Sequence, residues 1–304
     1  MPKDNYTVHD KRFYKLIHFN AGMDHLWTGG RWTEGPAYLA AGRYLIWSDI
    51  PNDRLMRWDE TDGSVSVFEH PCGNQNGHTV DRQGRLVACE HRRRVVSCIG
   101  FDGARRVIAD SFEGRRFNSP NDVVVKSDAT VWFSDPTYGI DSEYEGDSAA
   151  SEIGASNVYR VDSGGNVTAV VTDMVQPNGL AFSPDESVLY VADTGFSHDQ
   201  KCKPKIRSYP LSKDGTKLGK GKDFVYCDKG LFDGFRVDTK GNIWSSAGDG
   251  VHCFAPDGTL LGRINVPEVV SNVCFGGRKR NRLFITATTS LFAIYVNAQG
   301  CPGG

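Results

Sequence analysis

The chain has 304 residues, with 35 Lys and Arg against 37 Asp and Glu for a net charge of −2, a balance that argues against broad binding to nucleic acid or anionic membranes. Hydrophobic residues make up 39% and charged residues 24%, enough apolar content for a packed core and too much for a disordered chain. No apolar run approaches the ~18 residues that span a bilayer, and the opening Met1-Pro2-Lys3-Asp4-Asn5 lacks the apolar stretch of an export signal. A cytoplasmic protein is expected, or a periplasmic one if a signal has been trimmed.

In chain order, the first apolar-rich stretch is Phe13-Tyr14-Lys15-Leu16-Ile17-His18-Phe19, which reads as a strand. From there on, short alternating runs such as Tyr44-Leu45-Ile46-Trp47, Val131-Trp132-Phe133 and Val188-Leu189-Tyr190-Val191 are separated by turn dipeptides: Asp62-Gly63, Asp102-Gly103, Gly164-Gly165, Asp214-Gly215, Asp257-Gly258. No helical stripe of useful length interrupts them. The class is all-β with many short strands.

The runs repeat. Glu34-Gly35-Pro36, Asn76-Gly77-His78, Asn121-Asp122-Val123, Asn178-Gly179-Leu180, Asp233-Gly234-Phe235 and Asn272-Val273-Cys274 recur at intervals of 39 to 57 residues. Each is followed 13 to 15 residues later by the end of an apolar strand with a small or acidic residue, as in Trp47-Ser48-Asp49, Phe133-Ser134-Asp135 and Val191-Ala192-Asp193. A period near 40–50 residues is that of propeller blades. The reading is a single domain over 1–304, a six-bladed β-propeller of four-stranded blades starting near 34, 76, 121, 178, 233 and 272. The last unit has room for three strands, so Phe13–Phe19 is expected to supply the fourth and close the ring by pairing the two ends of the chain. The long intervals carry polar insertions, about 139–156 and 196–205, expected as loops on one rim where substrate enters.

Inner strands of a propeller line its channel, so the first residue of each unit points to one axis: Glu34, Asn76, Asn121, Asn178, Asp233 and Asn272. Singly each is a common turn residue; six aligned make a ring of hard oxygen donors. That set suits one divalent cation, Ca²⁺ first, then Mg²⁺ or Mn²⁺, with Zn²⁺ last. The acids Asp49, Glu90, Asp135 and Asp193 read mainly as carboxylates capping backbone amides, with Asp135, closest to an insertion, the exception expected to reach substrate. His78 is a candidate donor or base at the channel mouth. The run His91-Arg92-Arg93-Arg94 reads as a solvated segment. The eight cysteines form no CxxC pair and no structural-zinc spacing, so most are expected as buried free thiols.

The motifs Thr33-Glu34-Gly35-Pro36, Asn76-Gly77-His78-Thr79, Gly84-Arg85-Leu86-Val87-Ala88-Cys89-Glu90-His91, Asn118-Ser119-Pro120-Asn121-Asp122 and Gln176-Pro177-Asn178-Gly179-Leu180-Ala181-Phe182-Ser183-Pro184-Asp185 together resemble the gluconolactonase/regucalcin family, its bacterial gluconolactonase branch in particular. The likeness runs from about Leu26 to Val296. It implies hydrolysis of a small-molecule sugar-acid lactone with one divalent cation in the channel, held by Glu34, Asn178 and Asp233. The resemblance makes Asn121 the fourth ligand or a substrate contact and Asp233 the acid/base; the residues themselves add His78 as a spare base and place Ser119, Asn76 and Asp135 with Asn121 on the substrate side. The regucalcin branch has an arginine where this chain has Ser119, so the resemblance does not fix which sugar lactone is recognised. Two other readings stay open: organophosphate hydrolysis at the same kind of metal site, and a non-catalytic propeller that binds a ligand or protein.

Overall fold

A computed structural model describes residues 5–302; the opening residues 1–4, part of the segment read for an export signal, lie outside it. Six antiparallel sheets follow one another along the chain. Blade 1 runs from Thr33–Leu39 to Val65–Glu69, blade 2 from Gln75–Val80 to Arg105–Ala109, and blade 3 from Val123–Val125 to Val167–Val171. Blade 4 runs from Pro177–Phe182 to Lys222–Tyr226, blade 5 from Phe235–Val237 to Leu260–Asn265, and blade 6 from Val270–Gly276 to Ser290–Tyr295. The fold is the six-bladed β-propeller that the repeat predicts. No helix of the described residues is long and apolar enough to cross a membrane.

The core is divided among the seams between blades. Six buried clusters each draw on two neighbouring blades: Leu45, Trp47 and Trp58 of blade 1 meet Phe284 and Leu291 of blade 6, and Trp132 of blade 3 meets Leu180 and Leu189 of blade 4. The inner strands of each blade must therefore be buried on both sheet faces, which is why runs such as Val188–Asp193 and Arg282–Ala287 are buried almost throughout, while outer strands such as Lys222–Tyr226 stay largely exposed. All eight cysteines are free, and Cys72, Cys89, Cys98, Cys253 and Cys274 pack as buried side chains.

Ring closure does use the N-terminus, but by another segment than expected. The fourth strand of blade 6 is Asp24–Thr28, paired antiparallel with Ser290–Tyr295. Phe13 lies instead in a 3₁₀ turn, Lys11–Lys15, capped by Asp10, whose carboxylate accepts from Arg12 N–H at 2.8 Å. Phe13 and Ile17 alone of that stretch are fully buried, a spacing of four that fits one face of a helical turn and not strand alternation. The Phe13 ring lies over Gly262, where a Cβ would approach it to 2.3 Å. Further upstream, Tyr6–Val8 adds a fifth strand to the outer edge of blade 5.

Candidate active site

In each blade the regular ladder gives out at the ring residue. Register shifts interrupt pairing between Glu34 and Ala37, between Gln75 and His78, between Pro177 and Leu180, and between Val270 and Asn272, while Asn121 and Asp233 sit just ahead of their strands. Such bulges bend a strand and re-aim its side chains. The glycine after the ring residue permits the blades to meet: a Cβ on Gly35, which has φ +54°, would fall 1.9 Å from Asn76 O, and one on Gly179 would fall 2.3 Å from Asp233 O. Gly77 N–H donates to Asn121 O at 2.7 Å and Gly234 N–H to Ser271 O at 2.8 Å, so the inner strands are tied to one another around the channel.

Three of the acids at the ends of the second strands fix the segments that lead into these positions, while Glu90, expected to cap amides like them, is bound instead by the side chains of Arg93 and Ser97. Asp49 accepts from Arg31 N–H at 2.9 Å, Asp135 from Asn118 and Ser119 N–H at 2.9 and 2.8 Å, and Asp193 from Gln176 and Gly195 N–H, both at 3.0 Å. Asp135 follows the capping pattern of its counterparts and is no exception: it is fully buried and bonded to backbone beneath the site. Burial pushes its carboxyl up to about 7, against those two amide bonds. Ser119 is likewise occupied, donating to Pro136 O at 2.7 Å and accepting from Gly139 N–H at 2.9 Å. It anchors the start of the first insertion and is absent from the pocket wall, so neither residue stands where a substrate contact was expected.

The pocket has about 170 Å³ of space and is lined by Trp32, Glu34, Asn76, Asn121, Tyr138, Glu145, Asn178, Thr194, Ser197, Leu231 and Asp233. Five of the six ring residues meet there. The sixth, Asn272, donates to Glu34 Oε2 at 2.9 Å and orients that carboxylate. Tyr138 and Glu145 come from the region of the first insertion and Ser197 from the second. Glu145 went unread in the sequence; it is one of several acids in a polar loop, and no repeat position marks it. His91, read as part of a solvated segment, is instead fully buried beside the pocket. Its Nε2 takes a bond from Asn76 Nδ2 at 3.1 Å and its Nδ1 donates to Glu145 O at 3.1 Å, while burial lowers its pKa to about 4. The arginines beside it are paired outside the pocket, Arg92 with Asp53 and Asp147 and Arg93 with Glu90.

His78 departs from expectation. It is fully buried, with Nδ1 2.8 Å from Gly35 O and Nε2 3.0 Å from Gln75 Oε1. Both nitrogens are engaged, burial lowers its pKa to about 4, and it stitches blade 2 to blade 1. It borders a larger cavity, about 730 Å³, which gathers the Leu39 and Val80 ends of the inner strands and not the Glu34 and Asn76 ends. That cavity is on the opposite face, largely apolar, and carries none of the ring residues.

Three carboxylates, Glu34, Glu145 and Asp233, share the pocket with no Lys, Arg or His among its lining residues. Burial is the main force raising all three, Glu34 to about 8 and Glu145 to about 7. Asp233 is pushed well above the carboxylate range, by burial first and then by Glu34, Glu145 and Asp122. Asp122 turns away from the pocket toward the buried Arg236, 3.4 Å distant. Glu34 Oε1 and Asn76 Oδ1 are buried with no hydrogen-bond donor. Orphaned oxygens and unneutralised carboxylates fit a hard cation. Among the described residues no group of three or more His, Cys, Asp or Glu side chains is arranged for a metal, so a cation here relies on the Asn amide oxygens as well.

Residues 32–289 match the family model described as the SMP-30/gluconolactonase/LRE-like region. The chain belongs to this family. Among curated relatives of this SMP-30/gluconolactonase-like chain, a gluconolactonase of Zymomonas mobilis is 33% identical over 293 residues, covering 89% of this chain and 80% of that protein. A pentonolactonase of Haloferax volcanii is 31% identical over 271 residues, covering 85% and 82%. Among solved structures, a gluconolactonase from Xanthomonas campestris superposes with a TM-score of 0.90 at 36% identity, covering 96% of this chain and 95% of that one.

Proposed function

We propose that this SMP-30/gluconolactonase-like protein hydrolyses a neutral sugar-acid lactone with the help of one divalent cation, Ca²⁺ in the first instance. The observation that carries the reading is the pocket itself: one buried and two half-buried carboxylates and three asparagines converge on a space small beside the ~300–1,000 Å³ of drug-sized ligand sites, and no cationic side chain lines it. The gluconolactonase and pentonolactonase relatives support the substrate class.

Glu34, Asn178 and Asp233, with Asn121 beside them, are the residues that would hold the cation, which when bound supplies Lewis-acid polarisation of the lactone carbonyl. The chain's own residues do the rest. Asn272 keeps Glu34 aimed into the pocket, and the amides of Asn76 and Asn121 offer donors and acceptors to sugar hydroxyls. Asp233, whose proton affinity burial raises, accepts a proton from the attacking water. With one divalent charge set against three carboxylates, the site remains net negative when all three are ionised, which disfavours an anionic substrate.

The test is a panel of glucono-δ-lactone, a pentonolactone, a 6-phosphorylated gluconolactone and a phosphotriester, each followed with chelator and with added Ca²⁺. Turnover of the neutral lactones that chelator abolishes and Ca²⁺ restores is expected. Equal turnover with excess chelator, or a preference for the phosphorylated lactone or the phosphotriester, would overturn it.

A further inference from the structure

The two insertions meet at the pocket wall through a short chain of polar groups. Tyr138 OH lies 2.8 Å from Ser197 Oγ and 2.7 Å from Thr194 Oγ1, and all three residues line the pocket. Ser197 Oγ is 2.8 Å from His198 Nδ1 and 2.9 Å from Thr194 O. His198 Nε2 is 2.9 Å from Asp141 Oδ2. The side chains of His198 and Asp141 are 33% and 41% exposed, so the chain begins in the pocket and ends in solvent. His91, the other histidine at the pocket, is buried with both nitrogens fixed and leads nowhere.

Lactone hydrolysis has a proton to dispose of. Water adds to the carbonyl carbon, the acyl–oxygen bond to the ring oxygen breaks, and that oxygen leaves as a hydroxyl carrying one of the water's protons. The carboxylic acid formed loses the other at neutral pH, so each turnover yields one hydroxy-carboxylate and one proton. Pocket carboxylates that accept this proton must shed it before the next turnover.

We propose that Ser197, His198 and Asp141 form the exit route for that proton, with His198 the group that exchanges it with solvent. The Asp141 carboxylate holds the imidazole with its proton on Nε2, which leaves the Nδ1 lone pair facing the Ser197 hydroxyl. Ser197 passes its proton to Nδ1 and takes one from water in the pocket. In the resulting state both imidazole nitrogens donate, Nε2–H to Asp141 and Nδ1–H to Ser197 Oγ, while the Ser197 hydrogen turns to Thr194 O. Every group is hydrogen-bonded in both states, so neither carries the cost of an orphaned donor or acceptor. His198 then releases its Nε2 proton to water beside Asp141, and the one-third-exposed ring returns to its starting tautomer as one water protonates Nε2 and another takes the Nδ1 proton.

This inference rests on the lactonase reading, and the experiment separates the two. Wild-type protein is assayed on glucono-δ-lactone by pH-stat at very low buffer concentration, beside His198→Asn and Asp141→Asn. The relay requires kcat of His198→Asn to fall by about 10²-fold, the low end for a positioned proton-transfer group, with KM little changed. Added imidazole should restore the variant and leave the wild type unaffected, and Asp141→Asn should show a smaller fall in the same direction. Unchanged kcat in His198→Asn, a loss that imidazole does not reverse, or a rise in KM alone would overturn the relay and leave the network a latch between loops. A wild type that turns over no lactone overturns the lactonase reading and the relay with it, whereas an active wild type with an unaffected His198→Asn overturns the relay alone.

Discussion

Asp233 stands where two demands meet, since a carboxylate that binds a divalent cation is a weaker base for doing so. Asp233→Asn keeps the size of the side chain and one oxygen but removes its charge and any capacity to take a proton. At saturating Ca²⁺ its kcat should fall by about 10²–10⁴-fold if the residue is a base as well as a ligand, while Asn178→Asp, which keeps an oxygen and adds charge, separates the effect of charge from that of proton transfer. A kcat near that of the wild type at full metal occupancy would leave Asp233 a ligand only. The ring residues were legible because six repeats put an acid or amide at one position, and five of the six do face the pocket. His78 was misread because the ladder is bulged between Gln75 and His78: two-residue alternation from Asn76 fails across the bulge and the ring turns into the seam beside Gly35. Glu145 was illegible for the opposite reason, since only the path of a non-repeating loop brings it to the pocket.

At the level of the element, the inner strands owe their spacing to glycine. Gly179→Ala would set a methyl 2.3 Å from Asp233 O, and overpacking of this kind costs about 1–3 kcal/mol. Its Tm should drop by several degrees and lactone turnover with it, because the segment that gives way carries Asp233. Gly22→Ala, where the new methyl meets nothing within 4 Å, is the control expected to leave both unchanged; equal Tm for the two variants would refute the close-approach account. Here too the sequence spoke unevenly. Inner strands announced themselves by the Asn-Gly and Asp-Gly steps at their starts, but the closing strand Asp24–Thr28 has only half-buried Leu26 and Trp27 between exposed neighbours. The more apolar Phe13–Phe19 outweighed it, although Phe13 serves as a plug over Gly262 and not as a rung of a ladder.

The whole molecule should respond to pH in a way that exposes its need for a cation. Glu34, Asp135 and Glu145 have folded pKa values of about 8, 7 and 7, raised first by burial from ordinary values of 4.5, 3.8 and 4.5. Stability from such groups is complete below the unfolded pKa and is lost as pH rises through the folded one. His78 and His91 run the other way: burial lowers both from 6.5 to about 4, so stability falls as pH drops through that interval. The chelated protein should therefore be most stable near about pH 4 to 5, where the two opposing sets balance, and lose Tm toward pH 8. Because a cation competes with protons for Glu34 and Asp233, the Tm gained on adding Ca²⁺ should be larger at pH 8 than at pH 5.5. A gain independent of pH, or none, would contradict this account of the pocket's charge.

The hydrogen bond from Asn272 to Glu34 joins residues 238 positions apart and lies across the seam where the last blade meets the first. Bringing such distant partners together is the slow, entropically costly part of folding. The carboxylate is thus aimed by a residue from the final blade, and the blade that supplies it is completed by a strand from the chain's beginning. No contiguous fragment lacking either end can hold the pocket in shape. During synthesis Glu34 leaves the ribosome 238 residues before its partner Asn272, so the carboxylate is not aimed until the sixth blade has been made.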